Sequence, residues 1–148
     1  MALSCHNISA LEIASMKKLP PNWKCISVNE EYSGYYPIGF EKGNESRILR
    51  VRFSDVTYPI KKAGFDHTFN PISGDTVQLI RNFVEENKDH NFLLHCQAGV
   101  SRSSAICLYI HIAYGHNLRE NFWQVSRPNK YVLGALLVSQ LYSNHLKS

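Results

Sequence analysis

The sequence predicts an α/β fold, with a mostly parallel central sheet flanked by helices. Three observations lead there. Candidate elements along the 148 residues run strand, strand, helix, strand, helix, helix, helix, and strands that alternate with helices pair in parallel. The strand candidates are short apolar runs bounded by polar or turn residues, whereas the main helix candidates are amphipathic or apolar segments of a dozen residues or more. The length suits one domain, since a chain of this size buries roughly 68–70% of its unfolded surface, enough for a core without staples.

Each element has a local reason. Residues 2–8 read as a short strand or an irregular start. Ser9 and Glu12 have the capping-box spacing, which opens a helix from Ala10 to about Lys18, and Pro20-Pro21 stops it. Residues 22–28 form a buried strand. Residues 29–46, with Ser33-Gly34, Pro37, Gly43 and several tyrosines, form a loop. Residues 48–53 are β-rich and partly alternating, followed by a long irregular stretch to Gly74. Val77, Ile80 and Val84 share one face of a helix over 76–87, capped by Ser73 or Asp75. Residues 91–95 are an apolar run suited to a central strand. An apolar helix over 103–114 ends at Gly115. Asn117 and Glu120 repeat the capping-box spacing before a helix to about Val125, and beyond Pro128 a last helix spans about 131–145.

Composition narrows the function classes. Hydrophobic residues are 44% and charged residues 19%, which excludes a disordered chain and a coiled coil. The net charge of +4 is too small and too scattered to indicate nucleic acid. No apolar run approaches the length of a membrane span. The N-terminus has neither a basic segment nor an unbroken apolar one, so Cys5, Cys25, Cys96 and Cys107 are expected as free thiols in a cytoplasmic protein. Cys25 and Cys107 lie inside apolar elements and read as core thiols; Trp23 and Trp123 read as core or helix-packing residues.

The chemistry-bearing stretch is His95-Cys96-Gln97-Ala98-Gly99-Val100-Ser101-Arg102-Ser103, between a buried strand and an apolar helix. In an open parallel sheet, ligands bind at this end of the strands. Successive N–H groups of Gln97, Ala98, Gly99, Val100 and Ser101 in a tight loop make an anion nest, reinforced by the helix N-terminus behind it. Gly99 lets the backbone bend without a Cβ in the way. The planar fork of Arg102 suits two oxygens of a phosphate. The same positive field depresses the pKa of Cys96 and makes it a thiolate nucleophile.

These residues resemble the signature His-Cys-x-x-Gly-x-x-Arg-Ser of the cysteine-based protein tyrosine phosphatases, closest to the dual-specificity branch. The resemblance spans about residues 22–140, with the signature very specific and the rest weak. It implies a protein tyrosine phosphatase-like fold filling residues 1–148 as one catalytic domain. It also implies a two-step reaction. Cys96 attacks phosphorus and forms a phosphocysteine, while Arg102 and the loop amides hold the oxygens. An Asp protonates the leaving oxygen and then activates water. Ser103 steadies the departing thiolate, and His95 orients Cys96. No metal or cofactor is implied, and the histidines lack metal-ligand spacing. The expected partner is a phosphorylated protein, bound by a monomer, carrying phosphotyrosine or also phosphoserine/threonine, because the tyrosine-binding loop of the larger enzymes is not recognisable.

Two aspartates compete for the acid. Asp55 follows the 48–53 strand directly, which should neighbour the thiol strand, but it lies 41 positions before Cys96, a longer separation than the dual-specificity pattern has. Asp66 lies 30 positions before Cys96, nearer the usual spacing. Strand context constrains position more than loop length does, which favours Asp55 and makes residues 56–73 an enlarged lid. On it, Lys61-Lys62 either steer a phosphorylated substrate or form an exposed basic pair. Asp75 reads as a helix cap and Asp89 as surface. Tyr32, Tyr35 and Tyr36 are candidates for the site entrance, fixed by nothing in the sequence. Asn129 resembles a family Asn that caps the final helix or positions a loop near the site, and capping is the simpler reading.

Lipid-directed relatives carry lysines where Gln97 and Val100 stand here, which argues against a phosphoinositide substrate. A rhodanese-type sulfurtransferase fits Ser103 and the upstream Asp poorly. The remaining alternatives are a phosphatase acting on a non-protein phosphate ester and a silent phosphoprotein-binding module.

Overall fold

Five parallel strands form the central sheet in the computed structural model, which describes residues 2–119 and 121–147. The strands are β1 (Ser4–Ile8), β2 (Trp23–Asn29), β3 (Ile48–Arg52), β4 (Ile60–Lys61), β5 (Thr68–Phe69), β6 (Asn91–His95) and β7 (Asn117–Leu118). The sheet order is β3-β2-β6-β1-β7, and β4 with β5 makes a separate antiparallel pair. The helices are α1 (Ala10–Ser15), α2 (Gly74–Glu86), α3 (Arg102–Tyr114), α4 (Phe122–Val125) and α5 (Lys130–Lys147). β6 inserts between β1 and β2, so the thiol strand is the middle of the sheet.

The two-residue period of a strand divides the core. Phe92, Leu94 and Cys96 join the apolar cluster under α2, α3 and α5, while Leu93 joins the opposite one, built on Ile8, Ile13, Cys25, Ile38 and Phe40. Residues 102–110 of α3 are all buried, as an all-round apolar helix requires. The expected caps form. Ser9 and Glu12 close a capping box on α1, Ser73 rather than Asp75 caps α2, and Gly115 ends α3 with φ +76°.

Three expectations are corrected. Residues 117–125 do not form one helix. Asn117–Leu118 pair with β1 instead, the Asn117 N–H donating to Leu3 O at 2.8 Å, and only Phe122–Val125 are helical. The open edge of β1 offers backbone partners that outweigh a local cap; the second half of that cap, Glu120, lies outside the described residues. Trp123 is exposed, while its neighbour Phe122 is buried. Finally, β3 does not neighbour β6, because β2 lies between them.

Candidate active site

The loop from Cys96 to Arg102 leaves the C-terminal end of β6 and runs straight into α3. Its carbonyls are drawn outward by partners on three sides. Ala10 N–H donates to Gln97 O at 2.9 Å and Asn7 Nδ2 to Gly99 O. Val100 O accepts from Arg127 N–H at 2.9 Å and from the Ser104 hydroxyl, and Ser101 O from Asn129 N–H at 3.0 Å. With the carbonyls so engaged, the N–H groups of residues 97–101 make no hydrogen bond to a protein oxygen among the described residues. They are left free for an acceptor from outside the chain, as the expected nest requires. Gly99 is required twice over. Its φ is +72°, and an added Cβ would stand 2.5 Å from Ile8 O.

Cys96 is 3% exposed, with Sγ 3.3 Å from Ser103 Oγ. Burial pushes its pKa up. The Ser103 hydroxyl and N–H, the Arg102 charge and the Gly99 N–H together outweigh burial, and the net shift is downward. Arg102 is 4% exposed. Its Nη1 donates to Phe53 O at 2.9 Å and Nη2 to Glu30 Oε1 at 2.7 Å, while the buried Nε–H has no acceptor among the described residues. Burial opposes the guanidinium charge and Glu30 more than restores it. Tyr36 OH donates to the same Glu30 oxygen at 3.1 Å.

His95 points to the other face of the sheet. Ser27 Oγ lies 2.6 Å from Nε2, and Nδ1 lies 3.1 Å from Cys96 O, a carbonyl that can only accept. Nδ1 therefore carries a proton, and because burial disfavours the cation the ring is neutral, with the Ser27 hydroxyl donating to Nε2. Burial is the main reason its pKa falls to about 4, with Arg50 and Arg102 adding to it against the Cys96 carbonyl.

Asp55 lines the same cavity as Cys96 and Arg102, a space of about 340 Å³ whose walls include Glu30, Lys62 and Phe69. Its Oδ1 accepts from Ser101 Oγ at 2.9 Å and Asn129 Nδ2 at 2.8 Å. Asn129 does both things weighed for it, since its Oδ1 also accepts from the N–H groups of Tyr131 and Val132 at the start of α5. Asp66 is exposed on the turn between β4 and β5 and is not part of the cavity wall. The long spacing from Asp55 to Cys96 is accounted for by that hairpin. Glu31 clasps its base, accepting from Asn70 N–H at 2.7 Å, from Asn70 Nδ2 at 3.1 Å and from the Ser54 hydroxyl. Ser54 N–H donates to Asn70 O at 2.9 Å across the same join.

Sequence reasoning missed Glu30 and Glu31, which it left in a loop. The available signal was their place, directly after a strand buried on both faces. It also missed Ser27, whose hydroxyl meets His95 Nε2 at 2.6 Å. Of the three tyrosines, Tyr36 reaches the Arg102 pair through Glu30, and its ring meets His95 edge-on at 5.9 Å. Tyr32 stacks on His67 at 3.7 Å, and Tyr35 lies against Arg50 and Arg52. Among the described residues no cluster of His, Cys, Asp or Glu is placed to hold a metal ion, and no helix is long and apolar enough to cross a membrane.

Fold and site together define an α/β domain with a Cys-x5-Arg loop at the C-terminal end of a parallel sheet. No protein-family model matches the chain, and no curated protein does. Solved structures similar to it include the following two. One is the human tyrosine phosphatase-like serine/threonine/tyrosine-interacting protein, 18% identical over 84% of this chain and 78% of that one, with a TM-score of 0.47. The other is Tk-PTP in the active form, 18% identical over 92% of this chain and 89% of that one, with a TM-score of 0.48.

Proposed function

We propose that the protein hydrolyses phosphate monoesters on phosphotyrosine, and on phosphoserine or phosphothreonine, of protein substrates through a phosphocysteine intermediate. One observation carries the reading. A thiol with a depressed pKa shares a cavity with a buried arginine, and a carboxylate stands on the wall of that cavity. The Cys96 thiolate attacks phosphorus, and the P–O bond breaks as Asp55 gives its proton to the leaving oxygen. Asp55 then takes a proton from water, whose oxygen attacks phosphorus. The S–P bond breaks, Cys96 leaves as a thiolate steadied by the Ser103 hydroxyl, and phosphate departs. Arg102 and the N–H groups of residues 97–101 hold the equatorial oxygens, where charge grows in the transition state. His95 orients Cys96 through its carbonyl. The four free cysteines fit a reducing, cytoplasmic setting.

The test is phosphate release from an aryl phosphate and a phosphopeptide panel. The wild type should turn over both, and Cys96→Ser neither. Asp55→Asn should lose about 10²–10⁴-fold with unactivated esters, the scale of general acid catalysis, and Asp66→Asn should lose little. No turnover by folded wild type overturns the enzyme reading. Peptide affinity without turnover would make the protein a binding module, and the reversed aspartate ranking would move the acid to Asp66.

A further inference from the structure

Lys62 is not among the groups needed for the reaction above, yet it lines the same cavity as Cys96 and Arg102. It sits just after β4, on the excursion whose base Glu31 clasps. Its ammonium lies over the face of Phe69, 4.6 Å from the ring centre, and Phe69 is itself part of the cavity wall. Phe69 is fixed by pairing with Ile60 across the hairpin. A cation over an aromatic face is held without being neutralised. Among the described residues Lys62 has no carboxylate partner. The cavity's two carboxylates are engaged elsewhere, Glu30 with Arg102 and Tyr36, and Asp55 with Ser101 and Asn129.

The space is also larger than one phosphate needs. Its volume of about 340 Å³ equals roughly eleven times a water's share of the liquid. On the proposed reading Arg102 and the loop amides serve the scissile phosphate, which leaves Lys62 over.

We propose that Lys62, steadied by Phe69, forms an anion subsite beside the Cys96–Arg102 cavity that takes a second negatively charged group carried by the substrate next to its scissile phosphate. The subsite rests on the phosphatase reading for the position of the first phosphate, and it narrows the substrate class to phosphopeptides with a second phosphate or an acidic side chain close by. Lys61 lies on the strand, outside the cavity wall, and serves as the control.

Binding to Cys96→Ser protein, followed by fluorescence anisotropy, tests it without turnover. Three peptides are compared, singly phosphorylated with neutral neighbours, singly phosphorylated with adjacent glutamate, and doubly phosphorylated. The doubly charged peptides should bind about fivefold tighter than the neutral-flanked one, the scale of one exposed charge pair, and the gain should shrink as salt rises. Adding Lys62→Gln should erase the gain, whereas Lys62→Arg and Lys61→Gln should keep it. A gain for the glutamate peptide alone identifies a carboxylate as the second anion, and a gain for the doubly phosphorylated peptide alone identifies a phosphate. Equal weakening of all three peptides by Lys62→Gln, no change in any, or no binding by any would overturn the subsite. Phosphate release by the wild type from the same peptides is measured in parallel. Lys62-dependent binding without release would overturn the phosphatase reading and leave the subsite standing.

Discussion

Asn129 joins two tasks in one side chain, and two substitutions separate them. Its Oδ1 caps α5 through the N–H groups of Tyr131 and Val132, and its Nδ2 holds Asp55 Oδ1. Asn129→Ala removes both. Loss of the cap costs about 1 kcal/mol, and loss of a hydrogen bond to a charged acceptor about 1.5 kcal/mol, taken at the low end because Asp55 is exposed. The sum is about 2–3 kcal/mol. Asn129→Asp keeps an oxygen for the cap, where Asp serves as well as Asn, but replaces the donor facing Asp55 with an acceptor. Its stability should therefore fall by at least the clamp share of about 1.5 kcal/mol, because the second carboxylate also repels Asp55, but with no loss of the cap. Turnover should not follow stability. Both variants leave Asp55 held by Ser101 only, and both should lose about tenfold in kcat on an unactivated phenyl phosphate, a fraction of the 10²–10⁴ that an acid supplies. On p-nitrophenyl phosphate, whose leaving group needs little protonation, both should lose much less. Urea unfolding and steady-state kinetics on the two esters decide it. Full activity of Asn129→Asp on the unactivated ester would refute the clamp, and unchanged stability of Asn129→Ala would refute the cap.

The other predictions follow from the same geometry. His95 is neutral when folded, with its pKa lowered to about 4 against an ordinary 6.5, so its contribution is complete above pH 6.5 and is lost as pH falls toward 4. The loss should be about 3 kcal/mol, seen as a falling denaturation midpoint in wild type between pH 7 and 4 and as a flatter profile in His95→Asn, which has no such titration. Ser103→Ala removes a hydrogen bond that favours the Cys96 thiolate, so the pKa rises; the rate of iodoacetamide alkylation should climb at higher pH than in wild type, and an unmoved profile would deny Ser103 that role. Gly99→Ala places a methyl group 2.5 Å from Ile8 O at φ +72° and should destabilise by about 2 kcal/mol or more, with phosphate affinity falling in isothermal titration; a wild-type melting temperature would show that β1 and the loop yield freely.

What was legible in the sequence was local. Residues 91–95 form the predicted strand because an apolar run between polar residues has one way to bury both faces. The loop after it was readable because a thiol, a glycine and an arginine at fixed offsets need no distant partner to suggest an anion site. Strand order was not legible. Nothing in residues 48–53 says that β2 will come between them and β6, and so the expected adjacency failed while Asp55 still reached the cavity wall from the end of β3. Glu30 and Glu31 look alike in sequence, yet one pairs with a buried guanidinium and the other clasps a hairpin. Their roles come from groups some 70 and 40 positions away. The helix expected over 117–125 failed for the same reason, since the competing partner was the edge of β1.

The hydrogen-bond pattern around Asp55 bears on which of its oxygens does the chemistry. Ser101 and Asn129 both donate to Oδ1, and Oδ2 has no partner among the described residues. An oxygen that accepts two hydrogen bonds is a poor place for a proton, because a proton there would face two donors. The proton of a neutral Asp55 therefore belongs on Oδ2, and the two donors fix the plane in which Oδ2 swings. Ser101 is itself a residue of the Cys96–Arg102 loop, and Asn129 N–H is tied to its carbonyl. On the proposed reading, Asp55 and the Cys96–Arg102 loop are thus registered to each other through one residue of the loop and one helix cap, so a phosphate seated on Arg102 would bring its leaving oxygen to an acid already oriented. A lid that first had to close would need a hinge between Asp55 and the loop, and the bonds from Ser101 and Asn129 join the two at that point.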